Sequence, residues 1–318
     1  MNAKKKNFWL TRLDYIFVLR PMLFFPGWST LLAGYFISTR FEIFPPFEDL
    51  SRLGEIIMLI SAFALMMGST FVLNQIRDIE SDKKNHKLFL ISDGYISPGQ
   101  AKIEVAILTV LSLLIGFLMN PAIGFLLFAF FVITGYLYNY PPARMKDRPW
   151  GSLLANALMG WLAFAIGWSA GNALHPDLLV DSLPYLLFNT ALYLFTTMPD
   201  REGDQQSRKK TLAVVFGVGP LSVASFVLYM AGFITCLALG DYQALIFYVL
   251  SGPFFLAVVA RRKVADAIRS TKFGILFFAV AVCLRWPLYI VLMVLGFFGT
   301  KLYFKKRFDL DYPNFSGK

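Results

Sequence analysis

The stretch IIMLISAFALMMGSTFVLNQIRDIESD, residues 56–82, decides the fold class of this chain. Residues 56–76 carry no charged side chain, and an α-helix needs about 20 apolar residues to cross a bilayer. The run ends in Asn74, Asp78 and Asp82, which recur at every fourth residue and therefore share one face of a helix. A membrane helix that ends in a ladder of carboxylates indicates a polar site at the membrane surface.

The composition of the whole chain supports an integral membrane protein. Of the 318 residues, 57% are hydrophobic and 16% are charged, whereas about a quarter of the residues of a soluble domain are charged. The net charge of +10 comes from short loops between apolar runs, a distribution that indicates membrane topology and not a nucleic-acid-binding surface. Both cysteines, Cys236 and Cys283, lie within apolar runs, so we predict neither a disulfide framework nor a CxxC metal site.

Hydropathy predicts an all-α protein with nine transmembrane helices in a single membrane domain, residues 1–318. Residues 1–20 are expected to lie along the membrane interface, and residues 299–318 to form a polar tail. The predicted spans within 22–298 are 22–39, 54–76, 102–119, 122–140, 152–170, 183–199, 216–239, 243–260 and 273–298.

The basic residues orient the predicted helices. Of the 30 Lys and Arg residues, 22 lie in the N-terminal segment and in the loops after the second, fourth, sixth and eighth helices. Cytoplasmic loops carry an excess of Lys and Arg, so this side is predicted to face the cytoplasm, which means the plasma membrane if the source is bacterial or archaeal. The basic stretch KLYFKKRF, residues 301–308, lies on the opposite side if the chain crosses nine times, and so conflicts with the rule.

A second acidic motif, PDREGD at 199–204, closes the predicted sixth helix and places Asp200 and Asp204 four residues apart. Four crossings separate it from Asp78 and Asp82, so both motifs emerge on the same face of the membrane. Carboxylates that meet there repel one another unless cations lie between them. Mg²⁺ takes one or two carboxylates together with substrate phosphates. We therefore predict Mg²⁺ at Asp78, Asp82, Asp200 and Asp204.

A basic loop, YNYPPARMKDRPW at 138–150, follows the fourth helix on the same face. Arg144 and Lys146 are the types of side chain that bind phosphate oxygens, although topology alone also explains basic residues there. The stretch RKKT at 208–211 offers a further phosphate contact or a plain topology signal. Metal, phosphate-binding cations and an apolar bundle together indicate a ligand with a diphosphate head and a long apolar tail.

These motifs resemble those of the UbiA superfamily of intramembrane prenyltransferases. Members carry N-x-x-x-D-x-x-x-D and D-x-x-x-D motifs after the second and sixth of nine helices, and a Tyr-Pro-Pro-Arg-Lys loop. The resemblance covers about residues 15–298 and implies a helical bundle around a central cavity that opens to lipid. It implies prenyl diphosphate and a hydrophobic acceptor as substrates, with Mg²⁺ as cofactor. The site residues so implied are Asp78, Asp82, Asp200 and Asp204 for Mg²⁺ and catalysis, and Asn74, Tyr138, Arg144 and Lys146 for substrate.

Two positions depart from the family pattern. An Arg-Pro pair usually follows the first motif, whereas only His86 and Lys87 stand there in this chain, and Thr196 and Thr197 replace a Lys-Asp pair before the second motif. The acceptor stays open between a phenolic ring, a glyceryl phosphate, a tetrapyrrole and a carotenoid end. The rival functions are a multi-span transporter and a catalytically silent prenyl-lipid-binding relative. No obligate protein partner is indicated.

Three polar residues within predicted spans have two interpretations each. Asn156 and Asn189 either line the cavity or bond neighbouring helices. Arg285, which precedes Trp286 and Pro287, either faces a cavity or packs against a helix carbonyl near the proline.

Overall fold

The secondary structure is helical throughout the part of the chain that the computed structural model describes, residues 8–40, 50–85, 89–206 and 209–313. Two 3₁₀ turns, Pro21–Leu23 and Met145–Asp147, also occur. The α-helices are α1 (Phe8–Phe17), α2 (Phe24–Ser38), α3 (Leu50–Arg77), α4 (Ile79–Asn85), α5 (Pro98–Met119), α6 (Pro121–Phe130, continued as a π-helix over Phe131–Leu137), α7 (Pro149–Gly171), α8 (Asp177–Asp181), α9 (Leu183–Thr197), α10 (Arg201–Gln206), α11 (Leu212–Phe216), α12 (Val218–Leu239), α13 (Tyr242–Arg261), α14 (Val264–Arg285) and α15 (Leu288–Phe308).

The membrane-spanning character of the chain is confirmed. Eight segments of the described chain are helical, long and apolar enough to cross a bilayer, with α1 and α2 joined in one segment, Trp9–Ser38. The continuous helix Pro121–Leu137 is shorter, and α9 has 15 residues. Helix bounds agree with the predicted spans within a few residues as far as α13. The protein is an integral, multi-pass membrane protein.

The predicted ninth span, 273–298, is divided between two helices. Pro287 has no backbone N–H to continue a helix, and α14 ends at Arg285 before α15 begins at Leu288. The predicted span begins only at residue 273, because the first turns of α14 carry Asp266, Arg269 and Lys272, whereas the whole helix Val264–Arg285 is apolar enough to span. The predicted count of nine transmembrane helices is therefore approximate, and a further helix, α15, follows the ninth.

Helix α15 returns the chain to the end of the bundle where α1 lies. Tyr303 Oη donates to Asp14 Oδ1 at 2.7 Å, and Arg307 donates through Nε and Nη2 to the two oxygens of Asp14 at 3.1 and 3.0 Å. Residues 299–308, expected to belong to a polar tail, are the last turns of this helix. The basic stretch 301–308 thus joins the basic side of the protein, which removes the conflict with the positive-inside rule.

Helices α2 and α7 pack closely enough that their backbones touch. A Cβ atom built on Gly34 would overlap the carbonyl oxygen of Phe164, and one on Gly167 would overlap that of Leu31. Small residues permit this approach between membrane helices. Residues of both helices line the apolar cavity described below.

We expect Gly167→Leu to destabilise the protein, because the added side chain forces α2 and α7 apart. Overpacking a filled interior costs about 1–3 kcal/mol. The unfolding midpoint in detergent should fall for this variant and stay near the parent value for Gly54→Leu, since a Cβ on helical Gly54 meets nothing within 4 Å. Equal midpoints for the two variants would contradict the packing described.

Candidate active site

The ends of α3 and α9, the α6–α7 loop and the start of α7 enclose a polar pocket of about 380 Å³. Both acidic motifs and the basic loop contribute to it, as the sequence predicts. The residues that line this polar pocket are Asn74, Asp78, Tyr138, Lys146, Asp147, Ser152, Asn156, Tyr193, Thr196, Thr197, Asp200, Asp204, Lys209 and Thr211.

Asn139 organises one wall of the polar pocket and is absent from the sequence-based predictions. Its side chain is fully buried, and its Oδ1 accepts from Asn74 Nδ2 at 2.6 Å and from Lys146 Nζ at 3.3 Å. Its Nδ2 donates to the carbonyl oxygens of Thr134 and Gly135, at 3.2 and 2.9 Å. Both carbonyls belong to the π-helix, a local widening that often occurs at functional sites.

Two lysines pair with the acidic motifs inside the pocket. Lys146 Nζ donates to Asp78 Oδ1 at 2.6 Å, and Lys209 Nζ lies 3.7 Å from Asp204 Oδ1. Burial lowers the pKa of Lys146, while its hydrogen bond to Asp78 opposes that shift. The hydroxyl of Thr211, from the RKKT stretch, lines the same pocket and is buried without a hydrogen-bond partner. These groups suit an oxygen-rich anionic ligand.

Two predicted site residues do not line the polar pocket. Arg144 has a left-handed backbone, with φ of 38°, and its side chain pairs with Asp147 and is 46% exposed. Asp82 belongs to α4, which follows a one-residue interruption at Asp78; the backbone bonds from Asp78 N–H to Asn74 O and from Asp82 N–H to Asp78 O continue the helical pattern, but Asp82 lies beyond the lining of the pocket. His86, Lys87 and Arg208 lie outside the described residues.

Arg20 is a further cation near the first motif and is absent from the sequence-based predictions. It lies close enough to Asp82 and Asp78 to interact with them electrostatically. Its Nε atom is buried without a hydrogen-bond partner, and its backbone is left-handed, with φ of 56°. The only sign of Arg20 in the sequence is the Arg-Pro pair at 20–21, and the excess of basic residues in the N-terminal segment explains that arginine equally well.

An apolar cavity of about 240 Å³ continues from the polar pocket into the bundle. The two share Asn156, Tyr193 and Thr196, and along α3 the apolar cavity spans Phe71 to Phe63, about 12 Å by helix rise. Its apolar walls include Leu23, Pro26, Phe63, Met67, Phe71, Phe130, Met159, Ala163, Leu192 and Ile275. The combination fits a ligand with a charged head and a hydrocarbon tail.

Of the two interpretations given above, Asn189 combines both, because it lines a cavity and bonds a neighbouring helix, whereas the cavity interpretation applies to Asn156. Both line the apolar cavity. Asn156 Nδ2 donates to Ser152 O at 2.8 Å within its own helix, and Asn189 Nδ2 donates to Thr30 Oγ1 at 3.0 Å across to α2.

The charges of the polar pocket fit divalent cations. Four carboxylates, those of Asp78, Asp147, Asp200 and Asp204, face two lysine ammonium groups, which leaves a formal excess of two negative charges. Within the described ranges, no three His, Cys, Asp or Glu side chains lie close enough to share one ion. Lys146 contacts Asp78 and Lys209 lies near Asp204, so each motif has its own lysine, and each motif offers the hard oxygen donors that Mg²⁺ prefers.

A helical membrane bundle with an acid-lined pocket above an apolar cavity is the architecture expected of an enzyme that handles an isoprenoid diphosphate. The UbiA prenyltransferase family model matches residues 27–273 of this chain. The chain belongs to the UbiA prenyltransferase family, which confirms the resemblance drawn from the sequence.

The names of three curated relatives point to different acceptors. The homogentisate phytyltransferase of Synechocystis is 30% identical over 48% of this chain and 53% of its own length. The digeranylgeranylglyceryl phosphate synthase of Methanocaldococcus jannaschii is 28% identical over 63% of this chain and 66% of its own length. The chlorophyll synthase of Arabidopsis thaliana is 24% identical over 68% of this chain and 56% of its own length. The chain thus spans about half to two thirds of the length of these relatives.

Solved structures share the fold. A UbiA homologue from Archaeoglobus fulgidus bound to GPP and Mg²⁺ has a TM-score of 0.64 and 20% identity, and covers 88% of this chain and 99% of its own. A structure of digeranylgeranylglyceryl phosphate synthase has a TM-score of 0.65 with the same identity, over 89% and 99%. At this identity the likeness supports the helical bundle and its connectivity.

Proposed function

We propose that this protein transfers a prenyl chain from a polyprenyl diphosphate to a lipophilic acceptor within the membrane. The observation that carries the proposal is the convergence of both acidic motifs and Lys146 on one polar pocket that opens into an apolar cavity. Mg²⁺ ions would be held by Asp78 at the first motif and by Asp200 and Asp204 at the second, with Asp82 one helical turn beyond Asp78. The reaction would take place on the basic, cytoplasmic side.

The residues of the polar pocket would bind and orient the diphosphate. When bound, Mg²⁺ neutralises charge on the diphosphate and so makes it a better leaving group. Lys146, Lys209 and Thr211 would donate to its free oxygens, and Asn74 and Asn139 would hold Lys146 in place. Arg144 and Arg20 lie beside the pocket, where they would add positive potential.

Transfer would begin when the C1–O bond of the prenyl diphosphate breaks and both bonding electrons leave with the diphosphate oxygen. An electron pair of the acceptor then forms the new bond to C1, and the acceptor loses a proton. The junction lined by Asn156, Tyr193 and Thr196, next to Tyr138 of the polar pocket, is where C1 would lie. Aromatic faces such as Phe71 attract an allylic cation by about 0.5–2 kcal/mol, and the apolar cavity excludes water from it.

The direct test is pyrophosphate release by the purified protein in nanodiscs. Geranyl, farnesyl and geranylgeranyl diphosphates would be supplied with homogentisate, geranylgeranylglyceryl phosphate or chlorophyllide, in Mg²⁺ or in EDTA. We expect release only with Mg²⁺, and stimulation of prenyl transfer by one acceptor class. Transport of a solute without release of pyrophosphate would favour the transporter, and prenyl-lipid binding without turnover would favour the silent relative.

The ammonium of Lys146 gives a pH prediction. Because burial lowers its pKa, Lys146 should lose its proton at a lower pH than an ordinary lysine, and kcat/KM for the diphosphate should fall as the pH rises through that point. Lys146→Arg should move this alkaline limb to higher pH, since arginine stays protonated. Exposed Lys102 provides the control: Lys102→Arg should leave the limb in place. The same limb in all three proteins would exclude Lys146 as its source.

A further inference from the structure

A second polar pocket, of about 280 Å³, lies at the end of the bundle opposite the acidic motifs. The C-terminal ends of α2, α12 and α14 and the loop before α13 form it. Its charged lining consists of two arginines, Arg40 and Arg285, and two aspartates, Asp181 and Asp241. We call it the far-end pocket. Neither of the acidic motifs contributes to it.

The arginines of the far-end pocket are not matched to its aspartates. Arg285 Nη1 makes only a long hydrogen bond, 3.4 Å, to the carbonyl oxygen of Phe36, and its Nε is buried without a partner. In the described part of the chain, no carboxylate lies within ion-pair distance of Arg285 or of exposed Arg40. Arg285 is the last residue of α14, and a guanidinium group with a buried, unpartnered Nε in a membrane protein usually faces a partner or a ligand.

The two aspartates are held in place by neutral donors. Trp168 Nε1 donates to Asp181 Oδ2 at 3.1 Å, and Tyr185 Oη donates to Asp241 Oδ2 at 2.8 Å. Asp241 Oδ1 also accepts from the backbone N–H of Ala244 at the start of α13. These bonds fix the carboxylates without neutralising them, so the pocket contains two fixed negative groups and the two positive guanidinium groups of Arg40 and Arg285.

The surroundings place the far-end pocket at the level of lipid headgroups. Tyr242 is 69% exposed and Leu239 is 41% exposed at its rim. Exposed Tyr side chains at the ends of membrane helices lie where headgroups meet hydrocarbon. A ligand with both a polar head and acyl chains would contact the charged lining and this apolar rim together.

We propose that the far-end pocket binds a zwitterionic phosphate–ammonium group, the chemistry of a phosphoethanolamine lipid headgroup. Arg40 and Arg285 would bind the phosphate, because guanidinium groups match phosphate oxygens in geometry and charge. Asp181 and Asp241 would accept hydrogen bonds from the primary ammonium. A headgroup with phosphate alone would leave both carboxylates without a cation, and a quaternary ammonium has no N–H to donate.

The test measures the unfolding midpoint of delipidated protein in a neutral detergent as ligands are added, because a ligand that binds the folded state raises the midpoint. The probes are dihexanoyl phosphatidylethanolamine, phosphatidylcholine and phosphatidylglycerol, with free phosphoethanolamine as the soluble source of the same chemistry. We expect the ethanolamine lipid to raise the midpoint at the lowest concentration. Equal response to free phosphoethanolamine would identify a soluble zwitterion as the source, and response to the lipid alone would identify the membrane.

Substitutions locate the effect. Arg40→Gln and Arg285→Gln should each raise the ethanolamine-lipid concentration for half the shift by about tenfold, the loss expected for a charged hydrogen bond. Lys102→Gln makes the same change of charge at the other end of the bundle, near the start of α5, and should leave the ethanolamine-lipid concentration for half the shift unchanged. Arg40 is exposed, so Arg40→Gln keeps the test valid if Arg285→Gln fails to fold. Equal shifts from the three lipids, or an unchanged response in Arg40→Gln, would overturn the proposal.

Discussion

Asp78→Asn and Asp200→Asn are each expected to lower kcat/KM for the prenyl diphosphate by about 10³-fold. Each substitution removes one carboxylate of the proposed Mg²⁺ site from the lining of the polar pocket. Metal ions supply several kcal/mol of charge stabilisation in such reactions, and each 1.36 kcal/mol corresponds to a factor of ten in rate. The measurement is initial-rate pyrophosphate release at saturating Mg²⁺ in nanodiscs.

Neighbouring carboxylates provide matched controls. Glu80 and Glu202 follow Asp78 and Asp200 by two residues, are exposed and do not line the polar pocket. Glu80→Gln and Glu202→Gln should therefore retain activity within about twofold, as surface substitutions away from a site usually do. If they reduce activity as much as the two aspartate variants do, the effect is one of overall charge and not of metal ligation.

Asn139→Leu is expected to lower kcat by about 10²-fold, the order of loss that follows from displacing catalytic groups by about 1 Å. The leucine cannot accept from Asn74 and Lys146 or donate to the π-helix carbonyls. Asn139→Asp keeps an oxygen acceptor for both neighbours, so it should recover part of the activity. The measurement is kcat and KM for the diphosphate with each variant.

The unfolding midpoint distinguishes a role of Asn139 in positioning the site from a general loss of folded protein. Buried Asn139 contributes four hydrogen bonds, so the unfolding midpoint of Asn139→Leu will fall, and rates should be compared well below it. If Asn139→Leu retains parental kcat at that temperature, the asparagine is structural and the polar pocket does not depend on it.

The sequence was sufficient to predict the polar pocket because two regular features carry it. Four-residue spacing places Asn74 and Asp78 on one helix face, and an even number of crossings brings Asp200 to the same end of the bundle. Neither argument depends on tertiary packing. The basic loop was less predictable: Lys146 enters the pocket, whereas Arg144 turns to Asp147 because of a left-handed backbone that nothing in YNYPPARMK reveals.

Other features depended on packing that periodicity does not encode. Asn139 donates to two carbonyls in the last turn of the π-helix, and in the sequence it resembles an ordinary loop residue. Helix α15 was not predicted as a separate helix, because apolar residues continue on both sides of Pro287 and hydropathy therefore merged the end of α14 and the start of α15 into one span. The ion pair between Asp14 and Arg307 joins residues near the two ends of the chain, a contact no local pattern predicts.

The most direct test of the central claim is to measure how tightly a non-hydrolysable analogue, geranylgeranyl thiolodiphosphate, binds to the protein in nanodiscs. The affinity is measured by calorimetry, once with Mg²⁺ and once with EDTA. If divalent cations join the diphosphate to both acidic motifs, binding should require Mg²⁺ and should weaken strongly in Asp78→Asn and in Asp200→Asn alike. Equal affinity in EDTA, or parental affinity in both variants, would contradict the assignment of the polar pocket as a metal–diphosphate site.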